Sequence, residues 1–209
     1  QASFDDSQWA SGAAPIGYGD SRIATVLTAQ GSRPVTSYFR SHFTVTDVAA
    51  LKGITVRYLA DDGAVVYVNG TEVDRTRIDA GAVSYTTRAN AAPSYSAATS
   101  SPSEVFVPAS LLTTGDNVIA VETHVNYTRS ATVGMWASVI RVDGTPESTS
   151  GDDDVKPEPQ PQPAPEPEPV PYTEPSVPTN LEDATKPIDV SAMTNGEVIP
   201  SATTQWNYW

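Results

Sequence analysis

From Pro157 to Pro171 proline occupies every second position, within "GDDDVKPEPQPQPAPEPEPVPYTEP" (151–175). Each proline ring fixes its own φ, removes a backbone donor and pushes the preceding residue towards extended geometry. Neither a helix nor a central strand can run through such a tract. The expected form is a semi-rigid polyproline II rod rising ~3.1 Å per residue, so about 20 residues reach roughly 60 Å. The tract divides the chain into a domain at 1–150, an acidic proline-rich linker at 151–179 and a C-terminal extension at 180–209. The extension is too short to bury a core of its own.

Charge follows the same division. Residues 1–150 carry 14 acidic and 10 basic side chains, whereas residues 151–209 carry 11 acidic and 2 basic ones. No basic patch is present to replace phosphate counterions, so nucleic acid is excluded as an expected partner. No segment approaches the ~20 apolar residues of a membrane span. Cysteine is absent, which rules out a disulfide framework and thiol chemistry. A chain opening on Gln1 suggests processing after export, with an expected place outside the cell or on its surface, although a cut repeat of a longer array would open the same way.

Up to about residue 146 the sequence reads as strands. In "TSYFRSHFTVT" (36–46) Phe39, Phe43 and Val45 fall on one face and Tyr38, Arg40 and His42 on the other, the period-two pattern of a half-buried strand. "GITVRYLA" (53–60) places Ile54, Val56 and Tyr58 together. "AVVYVNGTEV" (64–73) sets Asn69-Gly70 between strand formers, the signature of a hairpin closed by a type I′ turn. "NVIAVETHV" (117–125) and "VGMWASVIRV" (133–142) continue the pattern, while "TDVAALKG" (46–53) and "PASLLTTGDN" (108–117) suit single helical turns. About eight short strands with turn residues between them predict an all-β, antiparallel sandwich with no helix beyond two turns.

Four stretches in order, "FDDSQWASGAAPIGYGD" (4–20), "YFRSHFTV" (38–45), "YLADDGAVVYVNGTEV" (58–73) and "NVIAVETHV" (117–125), resemble the jelly-roll, galactose-binding-like β-sandwich domain of secreted bacterial proteins. That domain often stands beside metallophosphoesterase or lamin-tail-like domains. The resemblance covers residues 4–142 and implies eight or nine strands; it implies no activity. Members of the family usually begin with a "W-x-Y" strand before "FDDSxW". Here that strand is missing from the start, and "TTQWNYW" (203–209) ends the chain instead. Trp206, Tyr208 and Trp209 are therefore expected to fill the slot of the absent strand, with Phe4 and Trp9 near Trp209 and Trp206 as the anchor. The strand acts either within its own chain or in a neighbouring copy, and the stiffness of the rod favours the neighbour.

Candidate ligands and catalytic groups are few. Asp61 and Asp62 in "ADDG" form either an Asx-type turn, with Gly63 at positive φ, or an oxygen site for Ca²⁺. Glu122 and His124 share a strand face, with His42 a possible neighbour; a hydrogen-bonded polar pair is favoured over a metal or acid–base pair. Asp5, Asp6 and Asp20 suit turn caps. Trp9, Tyr18 and Trp136 are candidates for a sugar-stacking platform, with core packing favoured. Asn69-Gly-Thr71 and Asn126-Tyr-Thr128 match the glycosylation acceptor pattern. No nucleophile–base order, phosphate loop or catalytic carboxylate pair stands out, so no enzyme and no required cofactor are expected. The leading functional expectation is a structural subunit of an extracellular filament, a homo-oligomer built by strand donation. The alternative is a carbohydrate-binding accessory module of a secreted enzyme, complemented by its own C-terminal strand.

Overall fold

The computed structural model describes residues 4–27, 33–128, 130–143, 188–190, 193–199 and 205–208. The expected polyproline rod at 157–171 and the side chain of Trp209 lie outside these residues. Strands β1 (Ala10–Ala13), β2 (Ile16–Tyr18), β3 (Thr25–Val26), β4 (Thr36–Val45), β5 (Leu51–Asp61), β6 (Gly63–Val68) and β7 (Thr71–Thr76) come first. A six-residue helix, α1 (Tyr95–Ser100), precedes β8 (Ser103–Pro108), β9 (Gly115–His124) and β10 (Val133–Asp143). Three short strands follow: β11 (Ile188–Asp189), β12 (Val198–Ile199) and β13 (Gln205–Tyr208).

The strands form two sheets, as an all-β sandwich requires. One runs β1-β13-β4-β9-β6-β7, with β11 also pairing β4; the other runs β3-β2-β10-β5-β8, with β12 on β10. All pairings are antiparallel except β2–β3 and β11–β4. The two expected helical turns are 3₁₀ turns at Val48–Ala50 and Ala109–Leu111. The helix α1 was not foreseen, because "YSAATS" carries little helical periodicity. It is started by Ser94, whose hydroxyl accepts from the Ala97 N–H, a standard N-cap contact.

Alternation decides which residues enter the core. Phe39, Phe43 and Val45 of β4 are buried, as are Ile54, Val56 and Tyr58 of β5, Ile119 and Val121 of β9 and Met135 of β10. In β4 and β9 the register sets Phe39 opposite Val121 and Tyr38 opposite Glu122. Consecutive residues therefore divide between the inner face and the outer face of the first sheet. At the Asn69-Gly70 hairpin both residues have positive φ, 50° and 84°, as a type I′ turn demands.

β13 stands between β1 and β4. Gly12 lies opposite Trp206 in the register with β1, and Phe39 opposite Tyr208 in the register with β4. Glycine at position 12 leaves room for the Thr25 side chain, which a Cβ there would meet at 2.5 Å. Trp206 is 2% exposed and Tyr208 packs on the same core. The described residues belong to one chain, and in it β13 lies in that chain's own sheet. About 60 residues separate Asp143 from Gln205, a tether length at which closing the loop adds little further entropy.

Burial of the Trp206 indole, ~200 Å² at ~25 cal/mol per Å², contributes up to about 5 kcal/mol. Its Nε1–H has no acceptor among the described residues, which offsets part of that gain. Trp206→Ala is therefore expected to destabilise the chain by ~3–5 kcal/mol in urea unfolding. Trp206→Phe, which removes the orphaned donor and keeps a ring, should cost clearly less.

Candidate functional site

Asp61 ends β5 and Asp62 joins it directly to β6. The turn expected here, with Gly63 at positive φ, does not form: Gly63 opens β6 and is not among the positive-φ glycines. Glycine is needed for a different reason. A Cβ at position 63 would come within 2.9 Å of the Ala89 methyl and 3.0 Å of Ile78 Cδ1. The loop after β7 packs that closely, forming a small apolar cluster of Val65, Ile78 and Ala89.

The two aspartates are consequently interior. Asp61 is 0% exposed and Asp62 2%. Asp62 is satisfied: its Oδ2 accepts the Asn126 N–H at 2.7 Å, with Ser130 Oγ at 3.5 Å. Asp61 is not. Neither of its carboxylate oxygens has a hydrogen-bond partner among the described residues. Arg77, the nearby cation, spends its guanidinium on the backbone carbonyls of Asp62 and Ala60. Burial pushes the Asp61 carboxyl up to about 6, with Asp62 adding to the rise and Thr132 and Arg77 opposing it. A buried carboxylate left bare is costly, so the site calls for a proton or a cation.

Three connections converge at this end of the sandwich: β5–β6, β9–β10 and β7–α1. The Ala89 N–H bonds the Val125 carbonyl at 3.2 Å and Asn126 Nδ2 donates to the Ala89 carbonyl at 2.7 Å. Tyr127, next to Asn126, is half exposed. Tyr85, whose carbonyl accepts from Thr36 Oγ1 at 3.0 Å, is the most exposed aromatic described. Tyr18 carries Arg33 4.2 Å above its ring, and Arg33 donates to the Ser130 carbonyl at 2.6 Å. Burial raises the Tyr18 hydroxyl, Arg33 pulls it back, and both aspartates push it further up. Tyr18 thus feels the charge of the pair. Among the described residues no group of three or more His, Cys, Asp or Glu side chains gathers for a metal.

The other sequence candidates divide. Asp5 and Asp20 are turn caps, accepting from the Ser7 and Arg22 N–H groups at 3.0 and 2.9 Å. Asp6 is instead half of a buried ion pair, 2.8 Å from Arg40 Nε. The alternation had placed Arg40 outward, where the segment before β1 now covers it. Glu122 and His124 do share a face, 3.7 Å apart, and His124 Nδ1 meets the Thr87 carbonyl at 2.8 Å. His42 does not join them. It pairs with Asp116 at 2.8 Å, four residues along β4 from the Glu122 register. Trp9, Tyr18 and Trp136 form no common platform. Trp136 packs with Leu59 and Tyr95 beneath α1, while Trp9 meets Phe4 at a tilt of 56°, ring centres 5.5 Å apart, over the outer face of the first sheet. Both glycosylation-type asparagines have packed side chains: Asn69 Nδ2 donates to the Leu111 carbonyl and Asn117 Oδ1, and Asn126 Nδ2 to Ala89.

No protein-family model matches the chain, and no curated protein does. Solved structures share partial likeness. An α-L-rhamnosidase from Streptomyces avermitilis, complexed with L-rhamnose, is 23% identical with a TM-score of 0.38, covering 54% of this chain and 9% of that one. The Pleurotus ostreatus lectin in complex with GalNAc is 20% identical with a TM-score of 0.36, covering 57% and 31%. An α-L-rhamnosidase from Aspergillus terreus is 16% identical with a TM-score of 0.37, covering 61% and 14%. The chain thus spans less than a third of the length of each.

The raised Asp61 carboxyl has a direct consequence for stability in the absence of metal. Its folded value lies above the ordinary 3.8, so the folded state holds the proton more tightly. The contribution is full below the unfolded value and is lost as pH rises through about 6. In a chelator, thermal melts should fall by an amount equivalent to roughly 2 kcal/mol between pH 4 and pH 8 from this group. Asp61→Asn should remove that slope and melt higher than the native chain at pH 8.

Proposed function

We propose that this chain is a non-catalytic carbohydrate-binding module, acting outside the cell beside a secreted enzyme and closed by its own C-terminal strand. The carrying observation is the bare carboxylate of Asp61, buried beside Asp62 where three loops meet. A pair of interior carboxylates supplies two of the six to eight oxygens that a hard divalent cation such as Ca²⁺ takes. Asp61 and Asp62 would hold it, with neutral oxygens from the surrounding loops and from the ligand filling the remaining positions. A cation held by Asp61 and Asp62 would supply a Lewis-acidic centre for sugar hydroxyls. The protein residues contribute the rest. Asn126 and Ser130 fix the Asp62 carboxylate, Arg77 fixes the chain through two backbone carbonyls, and the exposed rings of Tyr127 and Tyr85 offer faces for a sugar to stack on.

The filament reading of the tail uses the slot that β13 already fills. It requires the strand of one copy to replace that of another, and size measurements at high concentration decide it: a monodisperse monomer removes the reading.

Isothermal titration with Ca²⁺ alone should show one site, lost in Asp61→Asn and weakened at least ~10-fold in Asp62→Asn, since each removes a formal charge from the ligand set. Glycan-array binding should then appear with Ca²⁺ and vanish with chelator. Calcium binding without any glycan recognition would leave a structural metal and end the carbohydrate reading.

A further inference from the structure

The outer face of the first sheet carries a cleft of about 390 Å³ nearer the Asn69-Gly70 turn, at the end away from Asp61. Its walls are rings: Phe4 and Trp9 from the segment before β1, Tyr38 from β4 and Tyr67 from β6. The floor is apolar, formed by small and branched side chains of β9. Two charged groups line it, Arg40 and Glu122. The charge of Arg40 is already matched by Asp6 at 2.8 Å, with side chains 6% and 10% exposed. Beside Tyr67, the Glu72–Arg75 pair cancels in the same way at 2.6 Å. Glu122 is left, 12% exposed, held by the Tyr67 hydroxyl at 2.6 Å and with the His124 imidazole 3.7 Å behind it.

We propose that this cleft binds a small organic cation, an alkylated ammonium group seated among the rings of Phe4, Trp9, Tyr38 and Tyr67 and facing the Glu122 carboxylate. Ring faces are negative and attract a cation, most strongly when water is excluded. An alkylated ammonium offers the apolar surface that such walls require together with the charge that the carboxylate requires. Burial by itself would raise the Glu122 carboxyl, but contacts from His124 and Tyr67 outweigh it and hold the group below its usual range. Glu122 is therefore anionic at neutral pH. Other ligand classes fit less well. A sugar brings hydroxyls on every side, and the cleft has too few polar groups to pair them, which makes their desolvation costly. A neutral apolar ring would strip water from Glu122 and return nothing to its charge.

The test uses the full chain in chelator, so that the Asp61–Asp62 end plays no part. The probes are choline, its uncharged isostere 3,3-dimethylbutan-1-ol, and free monosaccharides, followed by calorimetry and by the NMR signal of the Trp9 indole. Choline should bind saturably and shift that signal, and the isostere should bind at least ~10-fold more weakly. Glu122→Gln, which keeps the Tyr67 contact, should weaken choline at least ~10-fold, as should Trp9→Leu. Should Glu122→Gln melt early, Trp9→Leu and the choline-to-isostere ratio in the native chain carry the test. Equal binding of choline and isostere, no saturable binding of choline, or binding indifferent to both Glu122→Gln and Trp9→Leu overturns the proposal. So does a monosaccharide that shifts the Trp9 signal where choline does not.

Discussion

The first sheet depends on one four-residue strand. Among the described residues β1 has no hydrogen-bonded neighbour in that sheet except β13, and β13 joins it to β4. Remove Gln205–Tyr208 and β1 loses its backbone partners, while the inner face loses Trp206. Both consequences come from the same geometry. A strand contributes main-chain bonds along its edges and alternate side chains to its two faces. The interior position of β13 also removes two edges that would otherwise remain open to other chains.

The segment ahead of β1 inherits this dependence. Phe4 and Trp9 lie over the outer face, and Asp6 reaches Arg40 in a nearly dry environment. A buried ion pair adds little net stability, because desolvation offsets attraction, but losing one member leaves an uncompensated charge. Asp6–Arg40 therefore fixes position more than it strengthens the fold. It holds the aromatic wall of the outer-face cleft at a place that only a properly seated β1 permits. The opposite end of the sandwich is organised differently. There the backbone of β5 runs straight into β6, and close packing of the loop around Ala89 seals Asp61 from water. The two ends thus present different chemistry. One has an anionic pair under polar loops, and the other has rings around a single carboxylate.

Much of the fold was legible in the residues. Alternation in β4 and β5 sorted inner from outer side chains correctly, because a half-buried sheet leaves no other arrangement for Phe39 or Ile54. Asn69-Gly70 marked its hairpin through backbone preference alone. The candidate sites were legible only in part. Asp61-Asp62 drew notice as a motif, yet its expected turn was wrong: local preference treats Gly63 as a source of positive φ, and the residues that demand it, Ala89 and Ile78, are distant in sequence. Arg40 and Tyr67 gave no local signal. Their roles arise from cross-strand register and from a segment more than thirty residues away.

By itself the sequence determined the strand faces and the hairpin turn. Each follows from covalent geometry or from two-residue periodicity, which act over a few neighbouring residues. Tertiary structure alone decided which sheet receives the last strand, that Asp6 pairs with Arg40, and that Asp61 is buried with no carboxylate hydrogen bond among the described residues while Glu122 faces a ring-lined cleft. Those outcomes depend on how much water remains around each charge, and desolvation is a property of everything packed nearby rather than of any short stretch of chain.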